Sequence, residues 1–191
     1  MLQDDNMRRL EALTGSERMA VMCIGNILLL DEGVGPAVAR ELMENYDFPP
    51  NVTVLDSGTM GMSLIGDFAQ YDYILTVDAV DGTGEPPGTV FHFLPQDMAE
   101  NRIFHGAHDT RFIDVLEASA LLGHEPAGEC IGVQIENMSP SQLVIGLTPQ
   151  VAAAVPLLCE TVLATLYGHG VRGIIDRSTG MEVCGPREPR D

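Results

Sequence analysis

The chain has 191 residues, 45% of them hydrophobic, and a formal net charge of −18. That length and apolar content suit one domain with a full core and exclude a disordered polar chain. With only 10 Lys and Arg, the charge works against nucleic acid and anionic lipid, which both need clustered cations. It is compatible with a cationic partner, a metal ion or solubility alone.

The N-terminus, MLQDDNMRRLEALTGSER, is polar and mixed in charge. It lacks the apolar core of a signal peptide, so a cytoplasmic protein is expected. No uncharged apolar run of about 20 residues stands out, so no membrane span is expected. Residues 1–18 read as a loose extension with room for a short helix in NMRRLEALTG.

From there strands and helices alternate. MAVMCIG (19–25) reads as a buried strand. NILLLDEGVG then brings Asp31 and Glu32 to the end of an apolar run, and Gly33 and Gly35 allow a sharp entry into a helix. That helix, GPAVARELMENY (35–46), has Val38, Leu42 and Met43 on one face and Pro36 in its first turn. NVTVLDSG (51–58) is a second strand ending near Asp56, and TMGMSLIGDFAQ (59–70) a second helix. DYILTVDAV (72–80) is a third strand, apolar up to Asp78. The turn-rich DGTGEPPG leads to a strand at 88–95. That connection is too short for a crossover helix, so the strand is expected to run antiparallel to its neighbour. TRFIDVLEASALLG (110–123) reads as a helix closed by Gly123, GECIGVQIE (128–136) as the last strand, and residues 148–168 as a long helix that Pro156 would kink. Residues 170–191 lose periodicity and read as a partly mobile tail. This order predicts a domain over 19–169, a three-layer α/β/α sandwich around a twisted, mostly parallel five-stranded sheet.

Cys23, Cys130, Cys159 and Cys184 form no CxxC pair. The first three sit in apolar runs and read as small buried hydrophobes, with no zinc site or disulfide framework. No Ser-His-Asp or Cys-His set is evident, and Cys23 lies mid-strand, a poor place for a nucleophile. The first strand–helix turn has neither a GxGxxG pattern nor a P-loop Lys.

The acids are more informative. In doubly wound sheets, ligands bind outside the carboxyl ends of the strands, where strand order reverses. Three strands lead there to acids: Asp31–Glu32, Asp56 and Asp78. Structural roles compete for each. Asp31 or Glu32 can offset a helix dipole, and Asp56 can cap the helix starting near Thr59. Asp78 is harder to dismiss, because a charge ending YILTV is costly unless paired or metal-bound. His105 and His108 follow in FHGAHDTRF, in a loop before a helix. A Glu, an Asp and a His at one sheet edge would make an open divalent site.

GNILLLDEGVG, DSGTMGM, TVDAV, the His108 segment and GLTPQV occur in an order and spacing that resemble the nickel-iron hydrogenase maturation endopeptidases, over about residues 19–168. The resemblance implies that Glu32, Asp78 and His108 contact metal. His108 is preferred over His105 because it keeps the spacing to IDVL. The resemblance further implies that Asp56 takes part in recognising the substrate. No resident metal is expected. The resemblance also implies that nickel arrives bound to the large-subunit precursor, whose C-terminal extension is then removed, and a monomer in a transient complex is expected. GVQIENMSPSQ (132–142) lacks a Pro found after the Gln in many relatives, in a loop that bears on which hydrogenase is accepted. Two other functions remain open at this point. One is a nickel-binding chaperone or checkpoint that does not cut. The other is a small-molecule hydrolase or phosphorylase, which would need a basic pocket where only Arg111 stands near.

Overall fold

The computed structural model describes residues 2–59, 69–95, 97, 105–106, 122–136, 143–183 and 185. In chain order the elements are α1 (Leu2–Glu11), β1 (Met19–Ile24), a 3-10 turn (Leu30–Gly33), α2 (Val34–Asn45), β2 (Tyr46–Asp47), β3 (Val52–Gly58) and β4 (Tyr73–Asp81). Then follow β5 (Val90–Phe93), β6 (His105–Gly106), β7 (Ala127–Gln134), α3 (Pro149–Gly168), β8 (Ile175–Asp176) and β9 (Met181–Glu182). The helices expected over 59–70 and 110–123 fall largely outside the described residues.

The central sheet has the order β3-β1-β4-β7-β5, with β6 pairing alongside the end of β4. β3, β1, β4 and β7 are parallel, and β5 runs antiparallel to β7 as its short connection requires. The result is a five-stranded, mostly parallel sheet flanked by helices. The chain starts in β1, steps out to β3 and returns past β1 to β4. The order therefore reverses between β1 and β4, and the carboxyl ends of those two strands border the crevice.

Both faces of the sheet are buried. Met19, Val21 and Cys23 of β1 and Tyr73, Leu75 and Val77 of β4 join one core with α2 and α3. Ala20, Met22, Ile74 and Thr76 point the other way and are equally buried. Two-sided burial explains why these strands read as continuous apolar runs rather than as alternation. By length and composition α3 could cross a membrane, although Glu160 interrupts its apolar run. Its Val151, Leu158, Val162 and Leu166 are instead buried against the sheet and α2.

The packed unit also extends beyond 19–169. In α1, Leu10 joins the core, and the Asn6 side chain both donates to the Gly128 carbonyl at 3.0 Å and accepts its N–H at 2.8 Å. Gly15, at φ +84°, lies so close to Gly170 that a Cβ there would sit 2.1 Å from the Gly170 carbonyl carbon. Val171 and Ile174 are core residues, and β2, β8 and β9 form a small antiparallel sheet. Residues 170–183, expected as part of a loose tail, are thus folded onto the domain.

Candidate functional site

The stretch after β1 is held in place by close backbone approaches. A Cβ on Gly25 would lie 2.1 Å from the Glu32 carbonyl oxygen, and one on Gly35 would lie 2.0 Å from the Ile24 carbonyl oxygen. These glycines serve less as flexible joints than as gaps that let the loop fold back onto the end of β1. The Asn26 N–H donates to the Glu32 carbonyl at 3.0 Å and closes the loop. Leu30, at φ +53°, holds a left-handed conformation that a branched aliphatic residue rarely adopts. That turn aims its two successors, Asp31 and Glu32, in different directions.

Asp31 is fully buried and plays a structural part. It accepts the Thr148 N–H at 2.7 Å and the Thr148 hydroxyl at 3.0 Å. Thr148 is the residue before α3, so Asp31 ties GLTP to the first loop and places a carboxylate at that helix's amino end. The helix-terminus role considered for this acid pair therefore falls to Asp31, at the far helix rather than the adjacent one.

Glu32 is also buried, and among the described residues no side chain donates to its carboxylate. Burial raises its pKa. Asp78 stands one residue beyond the last β1–β4 pair, Cys23 with Val77, and is level with Gly132 on β7. It therefore has no β1 neighbour on one side and no side chain beside it on the other. Its pKa is pushed up to about 8, first by burial and further by the charge of Glu32, against a stabilising Ala79 N–H bond of 2.7 Å. The switch point thus holds two acids that each disfavour ionisation, with no cation between them among the described residues.

Asp56 is placed differently. It pairs with Cys23 at the end of β3, level with Val77 across β1, and is exposed. By register its side chain lies on the face opposite that of Asp78, about 10 Å away across two strand spacings. Its carboxylate accepts the N–H of Gly58 (φ +54°) at 3.2 Å, a local turn. Ser57, the bulged residue between them, is buried, and its hydroxyl has no partner among the described residues. No sequence signal had pointed to Ser57. His108 and Arg111 lie outside the described residues, and of His105 only the backbone is described, paired with Asp81. Among the described residues no three His, Cys, Asp or Glu side chains gather as a metal-holding group.

A second titratable cluster, not anticipated from the sequence, lies at the amino ends of β4 and β7. Burial opposes ionisation of Glu129. However, hydrogen bonds from His169 at 2.5 Å, His92 at 3.3 Å and Tyr73 at 2.8 Å hold its carboxyl well below the usual range. His169 follows α3, so the cluster fastens that helix's carboxyl end to the sheet, at the end away from the crevice. The three described cysteines offer no nucleophile: burial pushes the Cys130 and Cys159 thiols up to about 12 and that of Cys23 higher still.

Residues 36–165 match the family model described as hydrogenase maturation protease. The chain is 36% identical over 161 residues to the hydrogenase 2 maturation protease of Escherichia coli K12, covering 82% of this chain and 95% of that one. It is similar to the solved hydrogenase maturating endopeptidase of E. coli, with TM-score 0.69 and 36% identity over 85% of this chain and 99% of that one. A solution structure of an endopeptidase from E. coli matches with TM-score 0.73 and 37% identity, over 84% and 98% of the two chains.

Proposed function

The chain belongs to the hydrogenase maturation protease family, and from that premise we propose that it removes the C-terminal extension of a nickel-iron hydrogenase large-subunit precursor once nickel has been inserted. The observation that carries this reading is the meeting of buried Glu32 and partly buried Asp78 at the β1–β4 switch point, without a compensating cation among the described residues. Such a pair is short of positive charge, and nickel carried in by the substrate supplies it. As nickel approaches, Asp78 gives up its proton and both carboxylates become ligands, with His108 as the third. A precursor without nickel meets a pair of acids that resist ionising together. The metal is part of the substrate, and the chain needs no resident ion.

Two routes to cleavage use the same residues. Nickel gripped by Glu32, Asp78 and His108 polarises the scissile carbonyl or acidifies a bound water. Alternatively, Asp78 or Glu32 takes the proton of the attacking water while nickel positions the substrate. Either way the enzyme is a metal-directed peptidase that works through carboxylates, with Asp56, exposed at the end of β3, contributing to substrate recognition. It acts in the cytoplasm as a monomer in a transient complex with the precursor. The test is trimming of the nickel-loaded precursor by the wild type and by Glu32→Gln, Asp78→Asn and His108→Ala. Each variant is expected to lose about 100-fold or more in rate while keeping its fold. Normal trimming by all three would overturn the site, and binding by the wild type without any mass loss would make the protein a checkpoint rather than a protease.

A further inference from the structure

The loop that carries Glu32 is paired with a second segment. Leu29 forms a parallel bridge with Val144. The Val144 N–H donates to the Leu28 carbonyl at 2.9 Å, and the Leu30 N–H donates to the Val144 carbonyl at 2.8 Å. In a parallel ladder a residue bonds one neighbour through both its backbone groups, and the residues flanking it direct theirs to the opposite side. Leu143 and Ile145 therefore turn their backbone groups away from the Glu32 loop, and among the described residues no hydrogen bond uses them.

The side chains there are apolar and open. Leu143 and Ile145 are 71% and 76% exposed, Ile27 is 55% exposed, and Leu28 and Val144 are also exposed. No charged residue occurs in Gly25–Leu30 or in Leu143–Gln150. Exposed strand edges are normally protected by Lys, Pro or a covering element, and an open apolar edge is a template for another strand.

We propose that Leu143–Ile145 is a docking edge to which an extended segment of the precursor adds as a further strand, its side chains resting on Ile27, Leu28, Leu143 and Ile145. This rests on the protease reading above. Two observations select the occupant. The open groups are backbone donors and acceptors in strand geometry, which an extended peptide satisfies. The edge is also continuous with the site, because Val144 is bonded to Leu30, two residues from Glu32. A strand laid there is led toward the carboxylates. The net charge of −18 favours a segment that is apolar and neutral or basic over an acidic one.

The test uses the full chain and the nickel-loaded large-subunit precursor of the source organism. Two variants are compared with the wild type: Leu143→Asn with Ile145→Asn, and Ile145→Pro, which removes one outward N–H. Both are expected to raise KM about 10-fold or more while kcat stays within about twofold. Hydrogen exchange of the Leu143 and Ile145 amides is expected to slow when the precursor binds. If the wild type trims but KM and exchange are unchanged, the docking edge is refuted and the protease reading stands. If amide protection depends on protein concentration without precursor, the edge is a self-interface and the proposal falls. If the wild type trims nothing, the protease reading fails and takes the docking edge with it.

Discussion

Replacing Asp78 with Asn should stabilise the metal-free protein at neutral and alkaline pH while ending its activity. In the fold this carboxyl is pushed up from an ordinary 3.8 to about 8, by burial and by Glu32. Between those values the folded state holds a proton that the unfolded chain has released, so wild-type stability falls as pH rises from about 4 to about 8. At about 1.4 kcal/mol per pH unit, the full interval gives an upper bound of about 6 kcal/mol. Asp78 is only partly buried, and water reaching it reduces the effect, so about 2–4 kcal/mol above pH 8 is expected. Asn keeps the oxygen that accepts the Ala79 N–H and has nothing to ionise. Urea unfolding of both proteins at about pH 5, 7 and 9 measures the difference. The variant should gain little at about pH 5 and most at about pH 9. A variant that is less stable than wild type at alkaline pH, or whose difference ignores pH, would refute the assignment of Asp78 as a carboxylate held against its ionisation.

Gly25→Ala would place a methyl 2.1 Å from the Glu32 carbonyl oxygen and 2.8 Å from the Pro36 ring. It should cost about 1–3 kcal/mol in denaturant unfolding and lower trimming at least about 10-fold by displacing Glu32. Asp31→Ala leaves the Thr148 N–H and hydroxyl without their buried acceptor, and thermal unfolding should show a loss of about 2–4 kcal/mol. Glu129→Gln should cost about 2–3 kcal/mol at neutral pH, with trimming per folded molecule unchanged because the cluster lies away from the crevice. Because this carboxyl is held below its ordinary 4.5, its stabilisation is present above that value and is lost as pH falls through the lowered one. The gap between variant and wild type should therefore narrow in acid.

Much of the sheet was legible because its strands are long and buried on both faces, and the order of apolar runs and turns allows few topologies. The antiparallel edge strand followed from the shortness of DGTGEPPG alone. What escaped is tertiary. Asp31 and Glu32 are adjacent and chemically alike, and only Thr148, 117 residues further on, separates a structural acid from an open one. Gly35 read as a turn residue, whereas it is needed for close packing, as is Gly25, to which no role was given. The two-residue strands β8 and β9 are too short to show a period, so residues 170–183 looked loose. Glu129, His92, His169 and Tyr73 come from four separate elements, and no local spacing announces their meeting. The exposed Leu143–Ile145 edge reads in sequence like any buried strand, because apolar composition says nothing about which backbone groups remain free.

Nickel dependence is the most direct test of the central claim that the substrate's metal licenses cleavage. The purified chain would be incubated with its large-subunit precursor, either loaded with nickel or free of it, and the products weighed by mass spectrometry. Loss of a C-terminal peptide from the loaded precursor alone is the expected result. Equal trimming of the nickel-free precursor would contradict it, because cleavage would then proceed without the metal proposed to bind Glu32 and Asp78.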